Sequence, residues 1–210
     1  MIILSYNLRG GGNQTKRKRV DFLIQKSDVD LCFIQETKLS GIGLNLVKEM
    51  WGDVDVEWSY LDANGASSGI LTMWKKEFFF LNYSFRGEGF LGLCVEKEDE
   101  RIGVPSSGNS REIRFFNEFI EEMDLVDLPT IGGNFTWFKS NGKAMSRLDR
   151  FLLSKTFVED WKVDGQHIGE RDVSDHAPIW LKDNRKDWGP KSFKFNNMWF
   201  KHEEFDSFVE

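Results

Sequence analysis

Ser174-Asp175-His176-Ala177-Pro178 sets an acid beside an imidazole just ahead of a proline, and this corner organises the rest of the chain. Neighbouring side chains on a strand point to opposite faces, so Asp175 and His176 cannot both serve one site from a regular strand. The pair is expected on a loop leading into the strand Ile179-Trp180-Leu181. A loop imidazole needs a partner to fix its tautomer and its aim. The candidate is Asp149 in Arg147-Leu148-Asp149-Arg150-Phe151-Leu152-Leu153, a carboxylate inside an otherwise strand-like run. Taken alone, the Ser-Asp-His tripeptide reads equally well as a solvated polar loop.

Working outward, the start of the chain offers two strand ends of the same kind. Met1 to Tyr6 reads as a buried strand ending at Asn7-Leu8-Arg9 before Gly10-Gly11-Gly12. Those glycines lack the spacing into a helix that a dinucleotide fingerprint needs. Lys16 to Lys26 reads as a helix with Val20, Phe22, Leu23 and Ile24 on its apolar side, and Lys16-Arg17-Lys18-Arg19 as its solvated start rather than a nuclear address. Val29 to Gln35 is a second strand, delivering Glu36-Thr37-Lys38 just past its end. A strand, a helix and a strand suggest a crossover that sets the two carboxyl ends side by side. Asn7 and Glu36 then share one site, with Glu36 a candidate ligand for a hard cation such as Mg²⁺.

Composition limits the classes that remain. The chain has 210 residues, enough for one domain with a substantial core, and it is 40% hydrophobic, 14% aromatic and 30% charged. A net charge of -6 argues against holding nucleic acid by bulk positive charge, but not against a local basic groove or a metal bridging protein and phosphate. Cys32 and Cys94 lie in apolar runs and read as core residues, which favours a reducing, intracellular compartment. Met1 to Leu4 is too short an apolar stretch for a signal peptide, and no segment has the length to cross a membrane.

The middle of the chain reads as short elements. Leu44 to Trp51 is a helix; Val56 to Leu61, Gly69 to Trp74, Glu77 to Tyr83 and Phe90 to Val95 are strands, with a turn at Asn64-Gly65. Asn109 to Met123 is predicted as a helix with Asn109 and Glu112 at capping-box spacing. Leu125 to Asp127 and Asn134 to Phe138 read as strands, Asn141-Gly142 turns the chain into a strand carrying Asp149, and Lys155 to Trp161 is a short helix before a strand from Val163 to Ile168. Residues 183–210 read as a linker and the start of a helix that stops mid-element.

Five motifs then stand in order at strand ends. They are Ser5-Tyr6-Asn7-Leu8-Arg9-Gly10, Gln35-Glu36-Thr37-Lys38, Gly133-Asn134-Phe135-Thr136-Trp137, Arg147-Leu148-Asp149-Arg150-Phe151-Leu152-Leu153-Ser154 and Ser174-Asp175-His176-Ala177-Pro178. Over residues 1–182 the chain resembles the endonuclease/exonuclease/phosphatase family, and within it the endonuclease domain of plant LINE-type non-LTR retrotransposon proteins. The tail, 183–210, is similar to the segment that joins such a domain to a reverse transcriptase. The resemblance implies a four-layer αββα sandwich of two mainly antiparallel sheets, with Mg²⁺- or Mn²⁺-dependent phosphodiester cleavage of DNA at one mouth and a nuclear location. It assigns Asn7, Glu36, Asp149, Asp175 and His176 to catalysis, Glu36 and Asp175 to the metal, and Arg9, Lys38, Thr136 and Trp137 to the substrate.

The chain also departs from the family. Between Val95 and Asn109 the family carries a strand with a site Tyr, a long helix and a strand ending in a Gly-Asp-Phe-Asn-like motif, where this chain has only Glu96 to Gly108. That motif aligns the attacking water and holds the phosphate. Strands and a helix are accordingly expected to be missing between residues 96 and 108. Two readings follow: a metal-dependent DNA endonuclease with impaired turnover, and a catalytically dead, truncated remnant that retains at most weak nucleic-acid binding. A phosphatase acting on a small phosphoester uses the same residues.

Overall fold

The computed structural model describes residues 1–52, 55–64, 68–87, 89–96, 122–140 and 144–183, with the backbone alone for 94–96 and 183. Several sequence expectations lie outside these residues. They are the helix Asn109 to Met123 up to residue 121, the missing elements between 96 and 108, the linker and helix of 184–210, and the tips of the Asn64-Gly65 and Asn141-Gly142 turns.

The chain is built on a seven-stranded mixed sheet. Its members are β1 (Ile2–Asn7), β2 (Leu31–Gln35), β3 (Val56–Leu61), β4 (Ile70–Lys75), β8 (Thr130–Ile131), β12 (Val163–Ile168) and β13 (Ile179–Asp183), ordered β3-β4-β2-β1-β13-β12-β8. Side-chain alternation divides β1 between two cores. Leu4 and Tyr6 pack with Val20, Leu23 and Ile24 of helix α1 (Gln14–Ser27) and with Val47, Met50 and Trp51 of helix α2 (Leu44–Trp51). Ile3 faces the other way, into a second core with Leu31, Trp74, Val163 and Leu181. A sheet buried on both faces suits the near-continuous apolar runs of β1 and β2.

Helix α1 starts where Asn13 caps it, its side chain accepting from the N–H of Thr15 at 2.8 Å. Phe22 departs from its expected place on the buried side: it is 48% exposed, lying under the Arg19 guanidinium and the Lys26 ammonium at 5.0 and 5.6 Å from its ring. Two cations on one ring make a surface seat for an aromatic residue.

The second face of the sheet is covered by smaller pieces. The hairpin β5 (Phe80–Gly87) with β6 (Phe90–Glu96) contributes Leu81 and Leu93; β7 (Leu125–Asp127) paired with β11 (Leu152–Ser154) contributes Val126 and Leu153. Helix α3 (Lys155–Trp161), capped by Ser154, adds Phe157, Val158 and Trp161. A further ladder joins β9 (Trp137–Phe138) to β10 (Met145–Ser146). The mixed α/β sandwich expected from the sequence is present. Among the described residues the strands outside the seven-stranded sheet form three separate two-stranded ladders, and the strand expected over Asn134–Phe138 shrinks to Trp137–Phe138.

Pairing of the first and last strands places the site. β1 and β2 run parallel, so Asn7 and Gln35 end at the same edge of the sheet. β13 runs antiparallel to β1, so its start, just after Asp175-His176, comes to that edge as well.

Candidate active site

Three loops meet at this edge. Backbone pairing continues past the strand ends, with Leu8 N donating to Gln35 O (3.0 Å), Gly10 N to Glu36 O (2.7 Å) and Gly11 N to Thr37 O (2.6 Å). On the other side, Thr37 N donates to Gly69 O and Lys38 N to Ser68 O, both at 3.0 Å. Glu36 is thus locked from two sides. Arg9, Glu36 and Lys38 hold left-handed backbone conformations (φ +47°, +48° and +54°). Non-glycine residues there cost of order 1–3 kcal/mol each and persist where surrounding contacts over-determine them, commonly at working sites.

The expected side chains converge. Asn7 Nδ2 donates to Glu36 Oε1 at 3.1 Å, and Asn7 Oδ1 accepts from the N–H of Arg9 at 3.2 Å. The Arg9 guanidinium spans two carboxylates, approaching Glu36 Oε2 at 3.7 Å and donating to Asp175 Oδ2. Trp137 Nε1 donates to the same Asp175 oxygen at 3.1 Å. Partial burial works against the charge on Asp175, but the hydrogen bonds from Arg9 and Trp137 and the Arg9 charge outweigh it and hold the carboxyl below its ordinary range.

Across from this group, His176 Nδ1 and Asp149 Oδ2 are 2.8 Å apart, with side chains 7% and 14% exposed. An ionised carboxylate only accepts, so the shared proton belongs on Nδ1 and Nε2 is left for another partner. The Asp175-His176 corner lies outside strand β13, as the sequence required, and is pinned from both flanks. Ser174 Oγ donates to Asn7 O (2.8 Å) and accepts from His176 N (3.2 Å), while Phe138 N donates to Asp175 O (3.0 Å) and Ala177 N to Thr136 O (2.7 Å).

Two sequence expectations are corrected. Asp149 is not in a strand; it lies in an irregular stretch between β10 and β11, because Leu148 N and Asp149 N turn to the Thr136 hydroxyl (3.0 and 2.9 Å) instead of a ladder. Thr136, expected on the substrate strand, has no exposed surface and holds the Asp149 backbone from behind. Lys38 is exposed and takes no part in the carboxylate cluster.

Lys16, read from the sequence as a solvated helix start, belongs to the mouth. Its Nζ donates to Leu8 O and Arg9 O at 2.7 and 3.0 Å. Burial, with repulsion from Lys38 and Arg9, lowers its pKa against the pull of Asp175 and Glu36. A lysine one turn into a helix carries no mark of this; only the return of the Arg9 loop over the helix start reveals it.

No protein-family model and no curated protein matches the chain. Solved structures do. A 3′ phosphatase from Neisseria bound to a product DNA hairpin superposes with a TM-score of 0.58 at 12% identity, covering 88% of this chain and 99% of that one. D. rerio TDP2 complexed with a single-strand DNA product gives 0.59 at 15%, covering 86% and 97%. The endonuclease domain of TRAS1, a telomere-specific non-LTR retrotransposon, gives 0.55 at 14%, covering 86% and 96%. The chain has the endonuclease/exonuclease/phosphatase fold.

On that fold a cleft of about 500 Å³ opens beside Glu36, walled by Gln35, Leu61, Asp62, Ser68, Gly69 and Gly87 among others. The donors gathered around Glu36 suit a hard cation. Glu36 and Asp175 already share one positive charge, that of Arg9, and the Asn7 carboxamide stands next to Glu36. Among the described residues no group of three or more His, Cys, Asp or Glu gathers to enclose an ion. One or two carboxylates completed by water and phosphate are what Mg²⁺ takes.

Proposed function

We propose that this chain is a DNA endonuclease that hydrolyses phosphodiester bonds with the help of Mg²⁺ or Mn²⁺, at a rate reduced by the absence of the Gly-Asp-Phe-Asn-like motif; Asp62-Ala63-Asn64, the Asp-x-Asn of this chain, belongs instead to the turn after β3. The observation that carries the reading is the 2.8 Å His176–Asp149 pair, mostly buried and next in sequence to an acid that already holds a cation. A buried carboxylate on Nδ1 fixes the ring and leaves Nε2 to donate to a phosphate oxygen, where negative charge builds as the bond breaks. Glu36, Asp175 and the Asn7 oxygen would hold the metal, which supplies Lewis-acid stabilisation of the phosphoryl oxygens. Arg9, Lys38 and Trp137 would be the contacts to the DNA backbone.

The Gly-Asp-Phe-Asn-like motif is absent from the sequence, so water is aligned less well. Losing a general base commonly lowers rates by about two to four powers of ten. Residues 1–182 form the nuclease domain, and residues 183–210 lead toward a reverse transcriptase of a LINE-type element working in the nucleus; the five ordered motifs and the tail support this part of the proposal.

A plasmid-nicking assay with Mg²⁺ tests the activity against a His176→Ala control. Faster nicking by the parent chain is expected, and equal residual rates refute the reading. Release of phosphate from a 3′-phosphorylated oligonucleotide without nicking would assign the site to a phosphatase. The missing motif favours a second reading, a non-catalytic remnant; it predicts salt-sensitive DNA binding with no cleavage at any metal concentration.

A further inference from the structure

Strand β12 contains a bulge. Against the two steps of β13 from Asp183 to Leu181 it takes three, from Val163 to Gln166, so one extra residue is accommodated. Bulges re-aim side chains. Val163 and Gln166 are both buried with Asp164 exposed between them, whereas strict alternation would turn Gln166 to the opposite face from Val163. Gly165 is part of the same device. A Cβ there would stand 2.7 Å from Ile131 Cδ1 and 2.8 Å from the Pro129 carbonyl oxygen, so the absence of a side chain lets β8 approach and pair.

The side chain delivered by this bulge is 1% exposed, and a buried amide is costly unless its groups are bonded. Gln166 Nε2 donates to Asp127 Oδ1 and to Leu128 O, each at 2.9 Å, and Oε1 accepts from Phe151 N at 2.6 Å. Asp127 extends the network, Oδ1 accepting from Arg147 Nη2 at 2.5 Å and Oδ2 from Arg150 Nη1 at 3.1 Å. Arg147 also donates to Leu128 O at 2.9 Å. Arg147, Arg150 and Phe151 flank Asp149 on both sides. Asp149 itself gives its N–H to Thr136 and its carboxylate to His176.

We propose that Gln166 and Asp127 are a buried positioning pair that sets the aim of Asp149 on the imidazole. The irregular stretch 147–151 has no ladder of its own, so its shape is dictated by what its ends are tied to. One amide and one carboxylate tie both ends. The proposal rests on the reading of Asp149 as the group that orients a working His176.

Proton NMR of the isotope-labelled full chain separates aiming from general support. The Nδ1–H shared with Asp149 is expected far downfield, protected from exchange by a side chain only 7% exposed and assigned by its loss in His176→Gln. Gln166→Met keeps the volume and removes the hydrogen bonds. It is expected to broaden or abolish that signal and to lower turnover at saturating DNA roughly 10- to 100-fold, with KM little changed. Val163→Ala, a cavity on the same strand, is expected to lower the melting temperature and leave the signal in place. An unchanged signal in Gln166→Met overturns the proposal, as does an equal loss in Val163→Ala. Should Gln166→Met show no cooperative melt, Asp127→Asn is judged by the same criteria. A parent chain that shows the proton but nicks no DNA refutes the nuclease reading and not this one.

Discussion

Thr136→Val replaces a hydroxyl by a methyl of nearly the same shape at a site with no exposed surface. It removes the acceptor of two backbone hydrogen bonds, from Leu148 N at 3.0 Å and Asp149 N at 2.9 Å. A buried donor left unpaired costs about 1–3 kcal/mol. Leu148 is 58% exposed, so water reaches its N–H more readily than that of Asp149. Taking the lower figure for Leu148 and the middle one for Asp149 gives about 3 kcal/mol. For a domain of this size that lowers Tm by about 6–12 °C. Thr136→Ser keeps the oxygen and loses one buried methyl, about 1 kcal/mol and about 2–4 °C. Thermal melts by circular dichroism, run beside the nicking assay, give both readouts. Nicking by the valine variant is expected to fall well below that of the serine variant, because Asp149 loses its backbone anchor. Equal melting temperatures for valine and serine would refute the reasoning, since they would show that the hydroxyl does not carry the segment.

Other perturbations test separate parts of the mouth. Asp149→Asn is expected to slow single-turnover nicking by about two to four powers of ten, through loss of the carboxylate that fixes the His176 tautomer. Gly69→Ala is expected to lower both Tm and Mn²⁺ affinity measured by calorimetry: its φ of +89° disfavours a side chain, and a Cβ would stand 2.3 Å from Thr37 Oγ1 and 3.2 Å from Lys38 N in the turn that locks Glu36. Asp175 titrates below its ordinary value when folded, so its pairing with Arg9 contributes stability that is complete above the unfolded pKa of about 4 and is lost as pH falls through the lower folded value. The stability gap between the parent and Arg9→Met, followed by melts in a pH series, is therefore expected to be full at neutral pH and to close only in stronger acid; a gap that does not vary with pH would count against the ion pair.

Much of this site was legible because chemistry and topology coincide in the sequence. Asn7, Glu36 and Asp175-His176 each follow or precede a run of apolar residues, and loops at strand ends are where functional side chains are commonly carried. The parallel crossover required Asn7 and Glu36 to meet, and they do. Asp149 was found by its charge, yet its setting was misjudged: Arg147 to Leu153 ends in the apolar run Phe151-Leu152-Leu153, which suits a strand, and nothing local shows that a threonine thirteen residues before Asp149 takes up two of the segment's N–H groups. Gln166 was invisible for a related reason. In Val163-Asp164-Gly165-Gln166 the alternation sends glutamine outward, and only pairing with β13, distant in sequence, reveals the bulge that turns it in.

The two sides of the mouth are consequently held by different means. Glu36 is fixed by backbone: main-chain pairing with the Arg9 loop and with Ser68-Gly69, which side-chain substitutions other than at glycine barely disturb. On the His176–Asp149 side, side chains add to the backbone bonds of Phe138 and Ala177: Thr136 holds the Asp149 N–H, Ser174 the His176 N–H, and Gln166 with Asp127 is the proposed positioning pair. A chain that accumulates substitutions without selection for cleavage should therefore lose the aim of its imidazole before it loses the carboxylates that attract a cation.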